Sequence, residues 1–125
     1  MKSLNVRIHI NPTLYSKDPE SSELGRHIIC KSIEMINSMG FEAFTFKKLG
    51  LAIGSNESSV YRYFANKHTL LIYLVNWYWS WMDYKIVLQT ANINDAKEKI
   101  KLSIEMLAAD IKQDSDFSFI NEILL

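Results

Sequence analysis

The sequence has few of the residues that staple or break a small fold: one cysteine, two prolines and four glycines among 125 residues. A single Cys30 cannot close an intramolecular disulfide, so nothing suggests an oxidising compartment. Net charge is missing as well, since 14 basic side chains meet 14 acidic ones, which argues against a disordered polyelectrolyte. The most apolar stretch, Leu70 to Met82, is broken by Asn76 and Ser80 and is too short to span a bilayer. Met1 to Arg7 lacks an uninterrupted apolar core, so no signal peptide is read and the chain is expected to be cytoplasmic, without a membrane partner.

Catalytic and metal signatures are missing too. His9, His27 and His68 lie far apart, and Cys30 has only His27 nearby, so no zinc spacing exists. There is no glycine-rich phosphate loop, no nucleophile elbow and no carboxylate pair in an evident pocket. The expectation is a chain that is not an enzyme and carries neither metal nor cofactor.

What is present is 48% hydrophobic residues, enough to build one small globular domain or the front part of a larger chain. The zero charge conceals an asymmetry. Residues 1–75 hold nine Lys and Arg against six Asp and Glu, whereas residues 76–125 hold five against eight. Within residues 45–67, Lys47, Lys48, Arg62 and Lys67 face only Glu57, so the excess of the front half is concentrated there. A local basic face is thus compatible with overall neutrality.

Leu4, Val6, Ile8 and Ile10 alternate with polar residues, the period of a half-buried strand, but nothing downstream reads as a second strand. The segment is either an extended arm on the helices or a strand that pairs with a second copy. Residues 11–22 hold both prolines and read as a loop; after it only helices are expected, so the fold class is all-α.

Ser21 or Ser22 can cap a first helix that carries Ile29, Ile33 and Ile36 and stops at Gly40. Thr45 caps a short second helix over 46–53, ended by Gly54, and Asn56 starts a third through about Phe64. Asn66 caps a long fourth helix, Lys67 to roughly Gln89, with Leu70, Leu74, Trp77, Trp81 and Tyr84 at helical spacing. Asn94 caps a fifth, whose apolar stripe is Ala96, Ile100, Ile104, Leu107 and Ile111, and Ser115 can start a sixth. Phe117, Phe119, Ile120, Ile123, Leu124 and Leu125 crowd the end, so partner helices are expected from further chain or from another copy. The division expected is an arm over 1–20, a helix-turn-helix domain over 21–67, and a linking helix with a partial effector or dimerisation domain over 68–125.

The informative stretch is TFKKLGLAIGSNESSVYRYFANK, Thr45 to Lys67. A short helix, a tight turn at Gly54 and a second short helix form a helix-turn-helix, whose second helix enters the major groove through its N-terminal residues. Leu49 and Ile53 on one helix, and Val60 and Phe64 on the next, can pack on helix 1, leaving Glu57, Ser58, Ser59 and Tyr63 facing outward.

On these residues the chain resembles the tetracycline-repressor-like (TetR) family of bacterial transcriptional regulators over roughly Leu24 to Leu71. Ile29, Ser32, Ile33, Ile36 and Gly40-Phe41 match its first helix; Thr45, Leu49, Gly54, Val60, Tyr61 to Phe64, Lys67 and Leu70-Leu71 match the rest without a gap. Gly50 stands where the family usually has alanine, which loosens helix 2 by up to about 1 kcal/mol, and Ser55-Asn56 replaces the usual Val-Ser.

The resemblance implies a ligand-responsive repressor that binds palindromic operator DNA as a homodimer. A small effector would shift the two recognition helices off the spacing of successive major grooves. It implies phosphate contacts for Thr45, Tyr61 and Lys67, and a backbone or guanine contact for Lys47. Glu57, Ser58, Ser59 and Tyr63 become base readers, a carboxylate being able to accept from cytosine N4. Glu57 read alone is equally a solvated charge that complements a helix start, and Arg62 can reach phosphate or pair with an acidic neighbour. Trp77, Trp81 and Tyr84 are candidates to line a ligand site, against plain packing of one helix face. The competing reading from another class is a helical dimerisation module without sequence-specific DNA binding.

Overall fold

The computed structural model describes residues 9–109, and its regular structure is helical: α1 Glu23–Met39, α2 Phe46–Ala52, α3 Glu57–Tyr61, α4 Lys67–Thr90 and α5 Ala96–Ala108. Each helix begins where a short polar side chain accepts a hydrogen bond from an otherwise unpaired backbone amide. Ser22 Oγ accepts from Gly25 N at 2.9 Å, Thr45 Oγ1 from Lys48 N at 3.2 Å, and Asn66 Oδ1 from Thr69 N at 2.9 Å. The fifth cap is corrected: Asp95, not Asn94, accepts from Lys97 N at 3.2 Å.

α3 is shorter than expected. It stops at Tyr61 because the Tyr63 and Phe64 amides both turn back to the Val60 carbonyl, at 3.0 and 3.2 Å, which swings those two rings into the core. The core gathers Ile28, Ile29 and Ile33 of α1, Leu49 of α2, Val60 of α3, Phe64, and Leu70, Tyr73, Trp77 and Trp81 of α4, all essentially closed to solvent. Burying each such side chain contributes about 1.5–3 kcal/mol, so this interior supplies most of what holds α1 to α4 together.

The segment ahead of α1 is ordered by the same core. Residues 4–8 of the expected strand lie outside the described residues; Ile10 is buried, and the chain continues through two short 3-10 helices, Pro12–Leu14 and Pro19–Ser21. Ser16 N donates to the Tyr63 carbonyl at 2.8 Å, and the Tyr15 ring meets the edge of Tyr73 at 6.0 Å. Pro19 lies so close to α1 that a Cβ on Gly25 would stand 2.1 Å from the Pro19 carbonyl oxygen. The expected loop is therefore a strap laid from α4, past the end of α3, to the start of α1.

Trp77 and Trp81 are buried as the helical spacing predicts, while Tyr84 is partly exposed and Trp79 is 55% exposed. The α5 stripe departs from expectation. No α5 residue is buried: Leu102 and Met106 are half-buried, whereas Ile100, Ile104 and Leu107 stand open to solvent. Ile111 and the start proposed at Ser115 fall outside the described residues. Among the described residues no helix is long and apolar enough to cross a membrane.

Candidate nucleic-acid interface

α2 and α3 are joined by a turn that glycine makes possible. Gly54 has φ 71°, a conformation that side chains with a Cβ rarely adopt, and Ser55 N donates to the Gly50 carbonyl at 2.8 Å. The two helices then meet at Gly50. A Cβ built there would lie 2.5 Å from the Asn56 carbonyl carbon, 2.7 Å from its oxygen and 2.8 Å from Glu57 N. This corrects the view of Gly50 as a mere loosening of α2, because its lack of a side chain is what lets the backbone at the start of α3 approach.

At the N-terminus of α3, Asn56 Oδ1 accepts from Ser59 N at 3.0 Å, and Ser59 Oγ completes a reciprocal cap on Asn56 N at 3.4 Å. Ser59 Oγ also donates to the Asn56 carbonyl at 2.7 Å and shares a hydrogen bond with Ser55 Oγ. Ser59 is consequently 4% exposed and turned inward, which contradicts the outward placement expected for a base reader. Its hydroxyl serves the cap instead.

Tyr63 is the second correction. It is 2% exposed, and its hydroxyl is hydrogen-bonded to Ser22 Oγ at 2.7 Å, the same oxygen that caps α1. The Lys17 ammonium sits 5.2 Å from the centre of its ring. The position two residues past α3 faces the strap rather than the outside, since it lies three residues past the buried Val60 and so on the inner face.

Lys67 Nζ donates to three carbonyls of the loop between α1 and α2, Phe41 at 2.8 Å, Phe44 at 3.0 Å and Glu42 at 3.3 Å, and lies 4.6 Å from the Phe41 ring centre. An ammonium has three N–H donors. All three carbonyls are within reach of a half-buried ammonium.

The remaining candidates are each exposed. Thr45, Lys47, Glu57 and Ser58 are open to solvent. Tyr61 is 48% exposed and rests the edge of its ring on Phe46, with centroids 5.0 Å apart, so its position is fixed by packing. Lys48 is exposed, but its Nζ donates to the Ala43 carbonyl at 2.8 Å, in the same loop that Lys67 holds. Arg62 is exposed at the end of α3. The sequence carried no periodicity signal for the Lys48 and Lys67 bonds, since both go to backbone atoms of an irregular loop. Among the described residues no group of three His, Cys, Asp or Glu side chains could hold a metal ion.

Hydroxyls, a carboxylate and cations within one helix-turn-helix are groups of the kind that read base edges and grip phosphates. A scan against family models matches residues 28–74 to the bacterial regulatory proteins of the tetR family. A search of curated proteins and a search of solved structures each returned no match to the chain. The matched span begins inside α1 and ends inside α4, so it takes in the whole helix-turn-helix and its packing against the flanking helices. Residues 28–74 thus form a helix-turn-helix domain similar to the DNA-binding domain of the tetR family of bacterial regulatory proteins.

Proposed function

We infer that this DNA-binding regulator is a repressor that binds a palindromic operator as a homodimer and releases it on binding a small effector. The observation that carries the reading is the joint exposure of Glu57 and Ser58 at the start of α3 beside Thr45, Lys47 and Tyr61. In this arrangement Thr45, Lys47 and Tyr61 hold phosphates on either side of the groove and set the register. Glu57 and Ser58 read base edges, with Glu57 trading affinity, through repulsion of phosphates, for selectivity at a cytosine.

The portion over 68–125, by this reading, links that surface to effector binding and dimerisation. The open apolar side chains Ile100, Ile104 and Leu107 on α5 are what a second copy or further helices would cover. Trp77, Trp81 and Tyr84 lie on the helix that would carry the signal, with Tyr84 the one of the three open to solvent.

Selection of bound fragments from a random DNA pool tests the proposal. Enrichment of a two-fold symmetric site supports it. Weak binding of every sequence alike, abolished by moderate salt, supports the dimerisation module instead. In the same experiment Glu57→Ala is expected to change the preferred bases at one position in each half-site, a discrimination worth about 1–3 kcal/mol. An identical profile would remove Glu57 from base reading.

A further inference from the structure

The loop between α1 and α2, residues 40–45, has no regular structure of its own, yet four consecutive carbonyls along it accept from lysine ammonium groups. Phe41, Glu42 and Phe44 accept from Lys67, and Ala43 accepts from Lys48. The loop closes on itself only once, through Phe44 N to the Phe41 carbonyl at 3.2 Å. It runs directly into Thr45, which is exposed and opens α2. Lys67 in turn is the first residue of α4, whose start is fixed by the Asn66 cap.

We propose that Lys67 is a positioning residue for DNA binding: its ammonium gathers the loop carbonyls and thereby sets where Thr45 and α2 present themselves to the phosphate backbone. The assignment rests on the regulator reading above, but gives Lys67 a different task from a phosphate ligand. Three carbonyl oxygens converging on one cation form a site for a compact point charge, which an ammonium fits. The ring of Phe41 below it adds the attraction of a π face for a cation. Without that charge four carbonyl dipoles crowd one side of the loop with only Lys48 to offset them. The loop then relaxes outward and carries Thr45 with it.

A direct phosphate contact and a positioning role separate in the salt dependence. Each phosphate neutralised adds about one unit to the slope of log affinity against log salt, and loss of that contact removes it. Binding of a random-sequence duplex is measured by fluorescence anisotropy over a potassium chloride series for the unaltered chain, Lys67→Met and Lys67→Gln. Circular dichroism establishes that each variant is folded at the temperature used.

Lys67→Met is expected to bind about tenfold more weakly, ~1.4 kcal/mol, at every salt concentration with a slope parallel to that of the unaltered chain. Lys67→Gln keeps amide donors for the carbonyls and is expected to lie between the two, again with the parallel slope. If Lys67→Met does not fold, Lys67→Gln alone decides by its slope. A slope lower by about one unit in either variant assigns Lys67 to phosphate and overturns the proposal. Unchanged affinity with only a lowered melting temperature overturns it as well, since the clamp would then serve stability alone. Failure of the unaltered chain to bind any duplex overturns the regulator reading, and the proposal with it, and is distinguished by that control.

Discussion

Tyr63→Ala is expected to lower the free energy of unfolding by about 3–5 kcal/mol, the cost of removing a large buried aromatic side chain. Tyr63 is closed to solvent, its hydroxyl is bonded to the Ser22 oxygen that caps α1, and its carbonyl accepts from Ser16 of the strap. One substitution therefore opens a cavity, strips a partner from the cap and removes the ring that faces the Lys17 ammonium of the strap, while the main-chain bond to Ser16 remains. Against a total of about 5–15 kcal/mol for an ordinary domain, such a loss leaves the fold marginal at best. Tyr63→Phe keeps the ring and forfeits one hydroxyl bond, for about 1 kcal/mol. Urea unfolding midpoints of the two variants measure the difference. Because the hydroxyl faces inward, Tyr63→Phe is also expected to select the same DNA sites as the unaltered chain, and a changed site preference would return Tyr63 to the DNA surface.

Gly50→Ala sets two effects against each other. Alanine in a helix is favoured over glycine by about 1 kcal/mol, and the resemblance to a family that usually has alanine here adds to the expectation of a gain. The geometry opposes it. The new Cβ would lie within 3.0 Å of three backbone atoms of Asn56 and Glu57, and backbone cannot rotate away as a flexible side chain would. Overpacking of this kind costs about 1–3 kcal/mol, so the expected outcome is a net loss of about 1–2 kcal/mol, with a lower urea midpoint. The atoms displaced belong to the start of α3, so DNA affinity should fall together with stability. A raised midpoint would show that α3 moves aside freely.

Much of the framework follows from local sequence rules. Ser22, Thr45, Asn56 and Asn66 each open a helix as their hydroxyls and amides predict, and the isoleucine spacing of α1 marks the face that is buried. The signal fails where a side chain's destination is decided by something non-local. Tyr63 and Ser59 read as outward from their neighbours alone; Ser59 is drawn into the Asn56 cap, and Tyr63 lies three residues past the buried Val60 and is bonded to Ser22, forty-one residues away in sequence. Lys67 reads as a surface cation because its partners are main-chain oxygens more than twenty residues away, which have no sequence signature. Gly50 reads as a defect because helix propensity says nothing about a neighbouring backbone. Helical period marks α5 as amphipathic, yet no α5 side chain is fully buried, since period predicts an apolar face without naming what covers it.

The strap bears on how this domain could be exchanged between regulators. The family-model match begins at residue 28, and a swap designed from that boundary would cut through α1. The cooperative unit starts earlier. Ile10 contributes to the interior, Pro19 is seated against Gly25, and Ser22 supplies the cap. A chimaera that joins this domain to a different partner domain should therefore take its leading edge from Ile10 onward. A graft begun at residue 28 would inherit the helix-turn-helix without the segment packed against its first helix.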